Sequence, residues 1–371
     1  MKIAGRILSS FALLLTASLC AAQGIQPEWG AAFYSFADNR EYEPEQRQIP
    51  QSILGAWLAP EVGVQLDSVH RLRAGVGLLR YFGSPAQGLD KVEYVAYYHY
   101  NRKPFELYVG SFPARSLLAD YPNALFYDSI AYLRLNSGNI FWRISGERWR
   151  TDIWLDWVGH QTEMQREAFL VGIAGKYQLK RAYAALQSYM HHFATVAGIG
   201  NQHIVDNGMA RPCLGVSLPV NFLLDSLNIN AGLLASYSRE RGVDERYRFS
   251  TGFISELLIE KFGIGLKNTL YIGDNQLPLY EKYSAERLYW GDPFYRNTFY
   301  NRSDFYVQLF GSSRVQARFT WSLHAAAGLL SHQQAFTLNV SLDSRQKSGA
   351  GRGNRRTIKS LFLPAVQSEG P

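Results

Sequence analysis

The chain is poor in cysteine: of 371 residues only Cys20 and Cys213 are cysteines. Cys20 falls in a removable N-terminal segment, so an intramolecular disulfide framework and a cysteine-based zinc site are both excluded. Long apolar runs are missing as well. Past the first segment, none reaches the roughly 18 residues that mark a membrane helix. Charged residues make up 19% against 47% hydrophobic ones, a balance that excludes a disordered chain. The net charge of +7 sits largely at the two ends, so the body is close to neutral. No His-Glu-x-x-His, Gly-x-Ser-x-Gly or Walker-type loop occurs.

Aromatic residues are abundant. They make up 14% of the chain, with 23 Tyr, 21 Phe and 8 Trp. That is heavy for a soluble enzyme and natural at a lipid–water boundary. At the start, Lys2 and Arg6 precede an apolar run over 7–19, followed by Cys20, Ala21 and Ala22. This reads as a signal peptide over 1–22, cut before Gln23. A lipid-modified Cys20 fits less well, because Leu19 stands where a small residue is expected. At the other end, 344–371 carries Arg345, Lys347, Arg352, Arg355, Arg356 and Lys359 and reads as a solvated basic tail. Gly349, Gly351 and Gly353 imitate a phosphate loop without the strand and helix it requires.

Between the ends, alternation with period two recurs over segments of about 10–14 residues, longer than the usual soluble strand. In 314–328, Val315, Ala317, Phe319, Trp321, Leu323 and Ala325 share one face, and Gln316, Arg318, Thr320, Ser322 and His324 the other. In 336–342, Phe336, Leu338, Val340 and Leu342 alternate with Thr337, Asn339 and Ser341. A soluble sandwich and a membrane barrel both produce such a pattern. Segment length and Gly-, Ser- and Asn-rich polar faces favour the barrel, with the apolar face toward lipid. Residues 163–193 have some helical character, but Gly172 and Gly175 and the alternation of Phe169, Val171, Ile173 and Tyr177 favour strand.

Seventeen segments qualify as strands, among them 29–37, 125–135, 140–146, 212–224, 303–311 and 334–343. Short turns mark the periplasmic side and long links, such as 194–211, 274–302 and 329–333, the outer side. Alternation of turn and link fails only around 114–139, so 125–135 is not a spanning strand. The expectation is an all-β fold: a transmembrane antiparallel up-and-down barrel of about 16 strands over 23–343. Residues 114–139 then form one long loop, external or inserted into the lumen.

Catalytic constellations are weak. His191 and His192 point to opposite faces of one strand, which is poor for a shared metal, and one of them faces lipid or the interface. Ser322 and His324 share a lumenal face, and a Ser–His pair can serve nucleophilic catalysis, but no third member is evident. Asp152 and Asp156 also share a face, where paired carboxylates can do acid–base work or simply line a pore. Strand parity places Arg71, Arg73, Glu93, Glu106, Arg143, Asp152, Asp156, Lys176, Glu256, Lys267 and Arg318 on the lumen wall. Such mixed charge either tunes passage or pairs within the wall. In the long loop the charges are Arg115, Asp120, Asp128 and Arg134.

The leader, the alternating segments and the last strand over 336–342 resemble bacterial outer-membrane β-barrel proteins of the porin-like class. The loop with Asp120-Tyr121-Pro122 and Tyr127-Asp128-Ser129 resembles uncharacterised Bacteroidetes members. The tail after Asp343 departs from members that end on an aromatic residue at the last strand. The resemblance implies a channel for small hydrophilic solutes; because the residues offer no catalytic constellation, no cofactor and no metal, the chain is expected not to be an enzyme. Its partners would be outer-membrane lipid including lipopolysaccharide, the barrel-insertion machinery and further copies of itself, with no nucleic acid. Two alternatives remain: a non-conducting barrel docking a partner through 194–211 and 274–302, and a barrel-embedded lipid-modifying enzyme.

Overall fold

The computed structural model describes residues 24–134, 136–196, 203–218, 224–283 and 287–344. The expected leader and the basic tail lie outside them. The fold is one closed barrel of 16 antiparallel strands. In chain order these are β1 Gln26–Glu41, β2 Gln51–Gln65, β3 His70–Tyr81, β4 Lys91–Arg102, β5 Phe105–Pro113, β6 Asn136–Ser145, β7 Trp149–Gly159 and β8 Ala168–Leu179. They continue with β9 Ala182–Phe193, β10 Val205–Leu218, β11 Ser226–Glu240, β12 Asp244–Lys261, β13 Ile264–Gly273, β14 Phe299–Gly311, β15 Val315–Ala326 and β16 Leu329–Asp343. Each strand pairs with its chain neighbours, and β1 closes on β16 from Gly30↔Asp343 to Glu41↔His332. Closure gives each strand a partner on both sides, so most backbone groups of the wall are paired without water.

The period-two pattern is realised as expected. Leu58, Val62, Leu72, Leu214, Phe249, Phe253, Phe319 and Trp321 are exposed on the outer surface. Their chain neighbours Trp57, Arg73, Cys213, Ile254 and Ser322 are buried inside. No helix among the described residues is long and apolar enough to cross a membrane. Residues 163–193 are strand, in β8 and β9.

Several boundaries differ from the sequence reading. β15 and β16 are joined by Ala327 and Gly328 alone, with φ of 53° and 76°. That is the left-handed pair of a tight primed hairpin turn, so the expected link over 329–333 is strand. β10 starts at Val205, β14 at Phe299, and β1 runs on to Glu41. These extensions carry Asp206, Asn207, Arg302, Asp38 and Arg40, residues that read as loop because strand formers rarely include them. Pro212 is accommodated where the ladder from β10 to β11 is interrupted at Arg211 and Pro212. The link after β5 ends at 135, not 139, because Asn136–Asn139 pair with Gly110–Pro113.

That link, described over 114–134, crosses the lumen. Near its end a short helix, α1, spans Asp128–Leu133. Tyr132 stacks on Phe36 of β1 at 5.1 Å, and its carbonyl accepts a 2.7 Å bond from the Trp57 indole of β2. Tyr121 accepts a 2.8 Å bond from the Trp154 indole of β7 and donates to Ser188 O of β9. β1 and β7 stand on different sides of the ring, so a segment touching both bridges the interior. A second link, described over 274–283 and 287–298, folds in beside it. Phe126 packs against Tyr121, Trp154, Tyr189 and, from the second link, Trp290. The barrel core is therefore made of inserted links packed on the wall.

Candidate functional site

Two polar constellations stand out, one inside the barrel and one on its outer surface. Inside, Arg302 of β14 reaches Asp128 of α1 at 3.0 Å and Asp304 at 2.6 Å. Arg40 of β1 pairs with Asp38 at 2.7 Å and donates to Tyr127 and Ser129 of the inserted link. Asp38 accepts from Gln333, whose amide oxygen also meets Tyr42 OH and His324 Nε2. His324 Nδ1 lies 2.8 Å from Tyr300 OH. Both imidazole nitrogens are thus occupied, and neither faces Ser322, whose Oγ lies 3.5 Å from Arg302. Ser322 and His324 share the expected face, but both are sealed from solvent. They hold the interior together.

The carboxyls of the inserted links feel this packing in opposite directions. Burial pushes the Asp128 carboxyl up, but Arg302 and Arg40 outweigh it and bring it down to about 2. For Asp292, of the second link, burial dominates over the bond from Phe294 N, and the carboxyl rises to about 6.

The charges assigned to the lumen wall are there, and they pair within it. Arg73 bridges Glu28 and Asp343, both at 3.0 Å, and Arg71 lies 3.6 Å from Glu28. Glu93 meets Lys91 and Asn136. Arg143 joins Asp152 at 2.7 Å and Glu106 at 3.3 Å. Glu256 joins Arg211 at 2.7 Å and Lys267 at 3.3 Å. Lys176 lies over the Tyr183 ring, and Arg318 bonds Gln308 over the Tyr306 ring. Asp152 and Asp156 do not act as a carboxylate pair: Asp152 is held by Arg143 and Arg150, Asp156 by Arg134 of the link at 2.7 Å. The other link charges also serve as anchors. Asp120 pairs with Arg150, and Arg115 lies over the Tyr34 ring and donates to Ala131 O.

The second constellation faces outward at the external ends of β7–β11. Register aligns Trp157, Phe169, His192, Asp206 and Arg239 in one row across five strands. His191, as expected, points the other way: its Nδ1 meets Leu288 O inside, at 2.8 Å. His192 Nδ1 lies 2.9 Å from Asp206 Oδ1. Asp206 Oδ2 accepts from Arg239 at 2.7 Å and from Arg241 at 2.8 Å. Tyr247 of β12 lies under Arg239, with the guanidinium 4.5 Å from its ring. A carboxylate fixing Nδ1 sets the tautomer and leaves Nε2 to take a proton, the arrangement of a general base. A single sequence gave only half of this site, an outward imidazole. Asp206 is 14 residues away and Arg239 another 33, so no local spacing could link them.

A family model described as lipid A 3'-O-deacylase-type matches residues 30–347. No curated protein matches by sequence. Among solved structures, an anion-selective porin from Comamonas acidovorans aligns with TM-score 0.49 and 10% identity, over 86% of this chain and 100% of its own. The outer membrane protein OprD from Pseudomonas aeruginosa aligns with TM-score 0.48 and 8% identity, over 85% and 94%. A loop L8 deletion mutant of OmpT, an outer membrane protein of Vibrio cholerae, aligns with TM-score 0.49 and 7% identity, over 86% and 100%. The chain is a closed 16-strand barrel, and the expectation that it is not an enzyme is overturned by the family match. Spanning nearly every strand, that match shows that the chain belongs to the lipid A 3'-O-deacylase-type family, an enzyme family.

Proposed function

We propose that this barrel hydrolyses acyl esters of the lipid A kind in the outer leaflet, after export with 1–22 removed. The observation that carries the reading is the family match over 30–347. The interior lends support: two links fold into it, and its ionisable groups pair with one another or with the links. The chemistry falls to His192, oriented by Asp206. His192 Nε2 takes a proton from water, and the hydroxyl oxygen bonds to the ester carbonyl carbon. The bond from that carbon to the sugar oxygen then breaks. The proton on Nε2 passes to the sugar oxygen, giving a free fatty acid and a sugar hydroxyl.

The test is acyl release from lipid A by the folded barrel in detergent micelles, read by mass spectrometry. His192→Gln and Asp206→Asn should each lower the rate, His192→Gln by on the order of 100-fold, the range of general-base contributions. Full activity in His192→Gln would sink the assignment of the base, and no acyl release by the wild type would sink the hydrolytic reading.

A second reading, passage of small hydrophilic solutes through the same barrel, is favoured by a cavity of about 1410 Å³ lined partly by the links, including Arg134, Glu281 and Arg296. Conductance steps in a planar bilayer would support it; a silent, inserted barrel would end it.

A further inference from the structure

The lipid-facing surface of a barrel is normally apolar, and charge there is costly away from the interfaces. The row on β8–β11 sits at the ends of its strands, where charge is tolerated, and it carries unused donors. Asp206 is the only acceptor for both arginines that the described residues supply. Arg239 spends one terminal nitrogen on it, and its Nε is buried with no hydrogen-bond partner. Arg241 spends Nε on the same carboxylate, and its side chain is 43% exposed. Two guanidinium groups share one carboxylate, with Glu245 within electrostatic reach of Arg239. The other acid nearby, Glu245, accepts from Gly242 N in the adjoining turn. His203 lies beside Gly242. His192 Nε2 has no partner among the described residues. The donors stand above an apolar strip of Ile173, Leu186 and Leu233, with Trp157 and Tyr247 at their own level, all five exposed.

We propose that Arg239 and Arg241 bind the phosphate of an acylated, phosphorylated glycolipid of the outer leaflet, whose acyl chains lie along the strip below. The inference rests on the hydrolytic reading only in placing this lipid beside His192. The guanidinium nitrogens not spent on Asp206, held in plane by that carboxylate and, at Arg239, by an aromatic face, are preorganised for a phosphate oxygen, because arginine presents several donors in a rigid fork. A free anion would gain nothing from the strip. A neutral lipid would leave the remaining guanidinium donors without a charged acceptor.

Binding is measured on the folded full chain in detergent micelles by quenching of tryptophan fluorescence, over times short against any turnover. The probes are lipid A with its phosphates, lipid A with its phosphates removed, and inorganic phosphate. The wild type should bind the phosphorylated lipid at least tenfold more tightly than the dephosphorylated one, and inorganic phosphate more weakly still. Arg239→Gln with Arg241→Gln should erase the preference. Arg241→Gln alone, at the exposed edge of the site, should keep the barrel folded, as read by its heat-modifiable mobility, and reduce the preference several-fold. Equal binding of the two lipids, inorganic phosphate matching the lipid, or a preference that survives in the folded Arg241→Gln and double variants would each overturn the proposal. Preference without acyl release would end the hydrolytic reading and keep this site. Acyl release without the preference would do the reverse.

Discussion

The interior network and the outer rim use the same residue types to different ends. Inside, Asp38, Arg40, Asp128, Arg302 and Asp304 meet one another or the inserted link. Outside, Asp206 holds His192, Arg239 and Arg241, yet donors remain over. A closed set of charges holds structure; an open set has capacity for a ligand. The contrast explains why the Ser322 and His324 face, attractive as a sequence pattern, is the quieter of the two. Its imidazole is already bonded on both sides.

The strongest way to break this contrast is loss of catalysis at the rim with an intact interior, through the His192→Gln rate already described. Next in size is the interior ion pair. Removing one partner of a buried pair leaves an uncompensated charge and costs about 3–5 kcal/mol. Arg302→Met should therefore free Asp128 and detach α1 from β14. Limited proteolysis should then cut within 114–134, and single-channel recordings should show larger steps than the wild type. Acyl release should fall far less than in His192→Gln. A protected link and unchanged conductance would mean that the aromatic packing, not Arg302, anchors it.

The two links should also respond to pH with opposite sign. Asp128 is held at about 2, below the ordinary carboxylate value of 3.8. Its stabilisation is complete above that ordinary value and is lost as pH falls toward 2. Asp292 is raised to about 6. Its contribution is complete below the ordinary value and is lost as pH rises through 6. Hydrogen exchange should show 114–134 loosening in acid and 274–298 loosening between about pH 4 and 6, with Asp292→Asn removing the second trend. Parallel trends in both links would show that they move as one body.

Much of the wall was legible because a strand sends alternate side chains to opposite faces. The failed alternation of turn and link around 114–139 was enough to reject 125–135 as a spanning strand and to reach 16. The outer ends of β1, β10 and β14 were hidden because inward polar residues such as Asp38, Asn207 and Arg302 find partners only across the lumen. Nothing local shows that the strand continues. The rim failed for a related reason. Its members come from separate strands, and only register, His192↔Asp206↔Arg239, brings them together.

The smallest expected effect tests whether the two regions are independent. Gly172 lies on β8 directly against the Trp154 indole, so a Cβ there would collide with the ring. Trp154 donates to Tyr121, and Tyr121 bonds Ser188 O, so this ring is one of the hooks of the inserted link. Gly172→Ala should push the indole aside and weaken that hook by about 1–3 kcal/mol, the usual cost of overpacking. Exchange within 114–134 should quicken modestly. The rim row, which faces the other side of the same strand at Phe169, should keep its rate of acyl release. A parallel fall in that rate would show that the links set the geometry of the outer face through the wall, and the division between a structural interior and a reactive rim would have to be given up.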